Sequence, residues 1–392
     1  MSLRVRSLTA IRAVIPLKRT IKHASKTRTA NDALLVRCEL SDGSIGWGEG
    51  LSREYVTGDS PDAAWATLGE TLDAGCPVGK LETLYDTAQA LEPWHVRGNA
   101  DDSRRCFGNP ARAAVETSIL DAAGHATDSV VWSLGTFVDP RRSASRGEVR
   151  YGVVGTPGSR RKLAWSGLRA RLYGFPDVKF KVGLDGVDDA ACLSALRLGL
   201  GRSINLRLDA NESWPAAEVE RHVGRLRRFD ISSVEQPCPH AEVHALPAVR
   251  RNLGVPVMLD ESLCSLEDAQ AAVVDGTCDL FNLRVSKCGG IMPTLRVLNF
   301  AREYGIGCQL GCMVGETGIL SAAGRAVACT NPDLIHLEGS YDRHLVAEPL
   351  TREDLTFGRG GRAPALLGPG LGITVDEAAV KRVTKESRTW TW

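Results

Sequence analysis

Lys181, Asp209, Glu235, Asp260 and Lys287 each stand at or just past the end of an apolar, β-prone run, and they are separated by 28, 26, 25 and 27 positions. A strand, a loop and a helix together consume about that many residues, so the spacing predicts parallel strands alternating with helices. Side chains at the carboxyl ends of such strands converge on one mouth. Three carboxylates there make an oxygen site for one hard cation, and a lysine on either flank supplies a base on each side of a bound carbon acid. The predicted chemistry is proton transfer.

Removing a proton from carbon next to a carboxylate yields a dianionic enolate that water stabilises poorly, and a divalent ion on the carboxylate oxygens offsets that charge as a Lewis acid. Mg²⁺, with Mn²⁺ as the alternative, suits three monodentate carboxylates better than zinc does, and Asp209, Glu235 and Asp260 are the predicted ligands. A lysine base works only when some of it is neutral near pH 7. In Val178-Lys179-Phe180-Lys181 the two lysines share one strand face under period-two alternation. Mutual repulsion and the nearby cation are expected to lower their pKa values, with Lys179 as the tuner and Lys181 as the base. Lys287 is expected to face the opposite side of the substrate carbon.

The elements that must position these groups follow from periodicity and turn signals. Strands are predicted at Val5 to Leu17, Ala33 to Leu40 and Ile45 to Gly50, with Asp42-Gly43 as the hairpin turn, and helices from Pro61 and from Pro110 to about His125. Eight further strands are predicted at Val149 to Val154, Asp177 to Val182, Ile204 to Asp209, Ile231 to Glu235, Val255 to Asp260, Leu280 to Val285, Gly307 to Cys312 and Leu334 to Glu338. Eight is the barrel count. The expected organisation is an α+β unit over residues 1–140, a barrel over 141–340 and a carboxyl-terminal segment, 341–392, that packs back on the first unit, its Gly/Pro-rich stretch from Phe357 to Gly372 running over the surface or returning to that unit.

Together these residues resemble the enolase superfamily in its mandelate racemase/muconate-lactonising branch, which holds muconate cycloisomerases, dipeptide epimerases and o-succinylbenzoate synthases. The matches are Lys179-Phe180-Lys181 for the strand-two Lys-x-Lys; Leu208-Asp209-Ala210-Asn211, Val234-Glu235-Gln236-Pro237 and Leu259-Asp260-Glu261-Ser262 for the metal strands; and Ser286-Lys287-Cys288-Gly289-Gly290 for the strand-six lysine. Gly46-Trp47-Gly48-Glu49-Gly50 is similar to the hairpin of that family's capping domain. The resemblance implies an α/β fold, a modified TIM (β/α)7β barrel with an N-terminal α+β capping domain. It also implies a lysine base working with Mg²⁺, as is known of enolase-superfamily sites, and a symmetric homo-oligomer. It further implies that the polar, basic loop Lys18 to Asp32, which carries His23, closes over the mouth and contributes to specificity.

Other candidates are weighed beside the five. A single Asp before a helix is commonly an N-cap, but register with two more carboxylates favours Asp260 as a ligand. Asn211 and Glu261 closely follow ligands and either orient them, cap helices or face solvent. Glu316 resembles the strand-seven glutamate of the lactonising subgroup. His336 and Glu338 fall where dipeptide epimerases carry an Asp-x-Asp that grips a substrate ammonium, and of the two only Glu338 keeps the charge.

The net charge of +1 supplies no general field for nucleic acid or an anionic membrane, so any charge selectivity must be local, and the proton-transfer site makes a small-molecule carboxylate the expected partner. No stretch approaches the roughly 20 apolar residues of a membrane span, and 11 cysteines without zinc spacing read as reduced packing residues, which together predict a cytoplasmic protein. The leading expectation is a racemase or epimerase of an N-substituted amino acid or related carboxylate. The alternatives are a muconate-type cycloisomerase, an o-succinylbenzoate-synthase-like syn-elimination and a non-catalytic metal- or carboxylate-binding protein. Acid-sugar dehydration of the mandelate racemase type is disfavoured, since no histidine lies between Ile306 and Leu334 and Lys287 holds the strand-six position.

Overall fold

The computed structural model describes residues 3–22, 27–97, 106–140 and 147–392. The amino-terminal unit begins with β1 (Val5–Lys22), β2 (Thr27–Leu40) and β3 (Ile45–Gly50), antiparallel neighbours in that order. The expected loop from Lys18 to Asp32 is a correction: its described residues continue β1 and β2, pairing Ile21 with Arg28 and Lys22 with Thr27 after an irregularity beyond Pro16. Cross-strand pairing overrides the local polarity that suggested a loop. His23 lies outside the described residues.

In β3 the sequence Gly46-Trp47-Gly48-Glu49-Gly50 alternates glycine with larger residues, and the three glycines share one face. The helix Asn109–Ala126 lies directly on it: a Cβ would fall 2.1 Å from Ala122 N at Gly46, 1.9 Å from Ala114 O at Gly48 and 1.8 Å from Pro110 O at Gly50. Pro110, Ala114, Ser118 and Ala122 recur every four residues, so small residues on one helix face meet the bare strand. The opposite face of β3 sends Glu49 toward the barrel.

The remaining strands are β4 (Glu148–Arg150), β5 (Val153–Gly155), β6 (Asp177–Lys181), β7 (Asn205–Asp209), β8 (Ser233–Glu235), β9 (Val257–Leu259), β10 (Leu280–Leu283), β11 (Gly307–Leu310), β12 (His336–Leu337), β13 (Arg362–Pro364) and β14 (Thr384–Thr391). β5 to β12 form an eight-stranded parallel sheet in sequential order, and Gly152 N donates to Leu337 O at 2.8 Å to bring its two ends together. Helical segments cross between each pair of successive strands, which is the (β/α)7β pattern.

The strand expected at Val149 to Val154 is split. β4 pairs antiparallel with β13, and only β5 enters the barrel. Tyr151 at the break is buried with its ring stacked 5.6 Å from Phe357, and a Cβ at Gly152 would lie 2.4 Å from Asp177 Oδ1. β14 pairs with β1 and becomes the edge of the amino-terminal sheet. All 11 cysteines are free. Among the described residues no helix is long and apolar enough to cross a membrane.

Four residues of the amino-terminal unit, Leu51, Asn109, Glu116 and Glu49, help seat it on the carboxyl ends of the barrel strands. Asn109 Nδ2 donates to Cys264 O at 3.0 Å and to Lys287 O at 2.8 Å, and Leu51 N donates to Ser286 Oγ at 2.9 Å. Glu116 accepts from Ile291 N and Met292 N, and Glu49 from Thr317 N and Leu320 N, each carboxylate ending a helix whose first N–H groups lack internal partners.

Candidate active site

Parallel register sets out the first row of the site. Lys181 on β6 pairs with Asp209 on β7, which pairs with Glu235 on β8. Neighbouring strands lie about 4.8 Å apart, so these three side chains stand side by side. Asp260 follows the end of β9, and Lys287 sits in the short helical turn Val285–Cys288 that follows β10. Gly289 and Gly290, with φ of 91° and 132°, close that turn. The two lysines therefore flank the three carboxylate strands.

Lys179 is buried beneath this row. Its Nζ lies 3.3 Å from Asp209 Oδ2, 3.2 Å from Glu235 Oε1 and 2.9 Å from Glu338 Oε2. Burial alone would lower its pKa, but Glu235, Glu338 and Asp209 outweigh burial and hold the ammonium well above the ordinary lysine value. Repulsion from neighbouring cations, expected to depress Lys179, is outweighed by three carboxylates within 3.3 Å of its Nζ.

Lys181 is more exposed, lies 3.7 Å from Asp209 Oδ2 and donates to Asn211 Oδ1. Asn211, with φ of 42°, also donates to Glu261 Oε1 at 3.1 Å, while its backbone N donates to Asp209 Oδ1 at 3.2 Å. It thus links Lys181, Asp209 and Glu261. Burial, with repulsion from Asp260 and Asp209, pushes Glu261 up to about 8.

Lys287 is wholly buried and has three acceptors, Asp260 O at 2.6 Å, Asp260 Oδ1 at 2.8 Å and Asn282 O at 2.8 Å. Burial opposes its charge, yet Asp260 holds it above the ordinary value. For Asp260 the cost of burial is exceeded by Arg284, Lys287 and Lys179, which depress its carboxyl. Asp209 is likewise lowered, by Lys179 and Lys181 against burial. Glu235 goes the other way. Burial, only partly relieved by Lys179 and reinforced by Asp209 and Asp260, pushes it up to about 7.

Four groups at or below this site were missed in the sequence. Arg284 pairs with Asp260 and lies 4.0 Å from Glu235 Oε1. Asn282 donates to Glu235 Oε1 at 2.7 Å and Gln309 to Glu235 Oε2 at 3.5 Å. Arg207 is buried between Asp177 Oδ1 at 2.6 Å and Glu338 Oε1 at 3.1 Å. The missed signal was period two: Arg207 lies two residues before Asp209, and Asn282 two before Arg284, so each pair faces the barrel interior.

Three weaker candidates are placed as follows. Glu316 folds back on its own loop, accepting from Met313 N at 3.1 Å and Ser321 Oγ at 3.0 Å, with burial and Glu49 pushing it up to about 8. Glu338 is held by Lys179 and Arg207, which lower its pKa against burial, so its charge is already matched inside the barrel. His336 Nδ1 stands 3.4 Å from Asp177 Oδ2 at the beginning of β6, four residues below Lys181. That corrects its expected place among the groups around the substrate, because a residue two positions earlier on a strand lies deeper in the barrel.

Among the described residues no three ligating side chains are drawn together tightly enough to hold an ion as they stand. Cations occupy the gaps instead: Lys179 bridges Asp209 and Glu235, and Arg284 lies between Glu235 and Asp260. An all-oxygen set already bridged by two positive side chains fits a hard divalent cation by charge and donor type.

A family model described as enolase C-terminal domain-like matches residues 165–379. A hydrophobic dipeptide epimerase of Enterococcus faecalis is 29% identical over 334 residues, covering 83% of this chain and 88% of the relative. An N-succinyl-L-Arg/Lys racemase of Bacillus cereus is 26% identical, with 90% of each chain covered. Muconate cycloisomerase 1 of Rhodococcus opacus is 28% identical over 95% of this chain and 96% of its own. In fold, the crystal structure of the Bacillus cereus N-succinyl Arg/Lys racemase matches with a TM-score of 0.85 at 22% identity, over 99% of this chain and 100% of that one. The Enterococcus faecalis dipeptide epimerase complexed with Mg and L-Leu-L-Tyr matches at 0.80 and 23% identity, over 95% and 100%.

Proposed function

Because the chain belongs to the enolase C-terminal domain-like family, we propose that it is an Mg²⁺-dependent isomerase that moves the proton on the carbon next to a substrate carboxylate. The reaction we favour is racemisation or epimerisation of an N-substituted amino acid or a related carboxylate. One observation carries the reading: Lys181 and Lys287 stand at the two ends of a row of three carboxylate-bearing strands, 3.7 Å from Asp209 and 2.8 Å from Asp260. Simple binding of an anion or a metal needs no base on either flank.

Asp209, Glu235 and Asp260 would hold the ion, which when bound supplies Lewis-acid stabilisation of charge developing on the substrate carboxylate. The chain's own groups do the rest. Lys181 Nζ, positioned by Asn211 Oδ1, takes or returns the α-proton on one face. Lys287 Nζ, fixed by two carbonyls and Asp260, serves the other face. Asn282 orients Glu235, and the paired Lys179 keeps Asp209 and Glu235 side by side.

A second reading is favoured by the three acceptors around Lys287. A lysine so held is biased to the ammonium form, which suits cycloisomerisation or syn-elimination, where one lysine exchanges protons and the other acts as a cation. Incubation of N-acyl amino acids in D₂O with Mg²⁺ separates the two. For a racemase, Lys181→Ala and Lys287→Ala should each block α-proton exchange from one enantiomer only, by about 10² to 10⁴-fold. If Lys287→Ala leaves exchange from both enantiomers intact, the one-base reading replaces the first. If the wild-type chain incorporates no solvent deuterium into N-acyl amino acids, dipeptides or muconates, both readings are removed.

A further inference from the structure

Arg284 lies one residue past β10, and the reaction described above makes no use of it. Its Nη2 donates to Asp260 Oδ2 and lies 4.0 Å from Glu235 Oε1, so the guanidinium fills space that an ion shared by those carboxylates would need. A guanidinium carries five N–H donors. Here Nη1 faces the Met313 sulfur, a weak acceptor, at 3.8 Å, and among the described residues Nε has no hydrogen-bond partner. A buried cation with most of its donors idle is held chiefly by its two carboxylates.

Arg284 is less enclosed than Lys179, with 9% of its surface exposed. Lys179 is enclosed by Asp209, Glu235 and Glu338 and is 4% exposed. Arg284 instead borders a shallow pocket with Ser286, Cys312, Glu316 and Glu338, and it is the one cation among the described residues lining it. Its long side chain can change partners without moving the strand.

We propose that Arg284 is an internal counter-ion that holds Asp260 and Glu235 in the metal-free protein and is displaced when a divalent cation binds, so that this residue sets how readily the site takes up metal. The inference rests on Asp209, Glu235 and Asp260 being the metal ligands. It has two consequences of opposite sign. Neutralising Arg284 leaves Glu235 and Asp260 less compensated and destabilises the metal-free protein, yet it removes the competitor and tightens metal binding. A merely structural residue, when lost, would weaken both.

The test is calorimetric titration of Mn²⁺ into the full chain without substrate, together with melting temperatures with and without Mn²⁺. Arg284→Gln should bind Mn²⁺ about tenfold more tightly than wild type, a typical coupling between two linked sites. It should also melt lower when metal-free and gain more on adding Mn²⁺. Arg284→Lys should stay near wild type, and Arg284→Met supplies the neutral comparison should the Gln variant not fold. Lys181→Gln removes an equal charge 3.7 Å from Asp209 without standing between ligands, and it should gain less than Arg284→Gln. Equal or weaker Mn²⁺ binding by both neutral Arg284 variants overturns the inference while leaving the metal site in place, as does an equal gain by Lys181→Gln. If neither wild type nor the Arg284 variants bind Mn²⁺, the metal-site reading falls with it.

Discussion

Glu49 and Glu116 on the amino-terminal unit, and Asp209, Glu235 and Asp260 in the barrel, are all buried carboxylates, but different groups satisfy them. Glu49 accepts from Thr317 N, Thr317 Oγ1 and Leu320 N, and Glu116 from Ile291 N and Met292 N, all at the starts of barrel helices. The barrel set is satisfied mainly by Lys179, Arg284 and Lys287. Backbone N–H groups cannot leave their helix, so the first set fastens one unit to the other. Ammonium and guanidinium groups ride on long flexible side chains, so the second set can exchange one cation for another. Similar side chains thus serve assembly in one region and, in the function proposed, chemistry in the other.

The largest expected effect tests that division directly. Glu235→Gln should weaken Mn²⁺ binding by more than about 100-fold, since loss of outer partners alone costs 10 to 100-fold. Its metal-free melting temperature should change less than that of Glu49→Ala, because a neutral isostere relieves repulsion from Asp209 and Asp260. Glu49→Ala should do the reverse. It strands two buried backbone donors and a hydroxyl, each worth about 1–3 kcal/mol, and should lower the melting temperature by several degrees with Mn²⁺ affinity nearly unchanged. Thermal melts and titrations on the same samples would break the comparison if both variants lost both properties.

A smaller effect should appear with pH. Burial pushes both Glu49 and Glu116 up to about 7. Their folded pKa values lie above the ordinary glutamate value, so their contribution to stability is fully present below about pH 4.5 and is lost as pH rises through about 7. Each can remove up to about 1 kcal/mol per pH unit in that window. Asp209 and Asp260 have the opposite sign. Their pKa values are depressed, so their contribution is lost only as pH falls below the ordinary aspartate range. Urea denaturation of metal-free wild type from pH 5 to 8 should therefore show stability declining, and Glu49→Gln with Glu116→Gln should flatten the decline. An unchanged slope in that double variant would assign the titration to other groups.

Much of the barrel could be read in the chain because its information is local. The near-constant interval between Lys181, Asp209, Glu235, Asp260 and Lys287 reflects how many residues one strand, loop and helix consume, and period-two alternation puts Lys179 and Lys181 on one face. The glycines of β3 were legible only as part of a hairpin, and that they form a bare face against the helix Asn109–Ala126 emerged from the packing. Where local polarity competed with pairing, it misled: Lys18 and Arg28 looked like loop residues, yet they lie within β1 and β2, whose pairing resumes at Ile21 and Arg28 after a break beyond Pro16. Tyr151 and Gly152 looked like the middle of a strand, yet they mark its break, because Phe357 and Asp177 come from distant parts of the chain to pack there.

Sequence alone therefore determined which groups are offered to the site and in what strand order, because hydrogen-bonded secondary structure repeats at short, countable intervals. Only the tertiary structure decided which cation sits against each carboxylate, why Lys287 is held by three acceptors, and how Glu49 reaches Thr317 across 268 positions of chain. Those outcomes depend on buried charges finding the nearest partner in space, and distance in space is not written in the spacing along the chain.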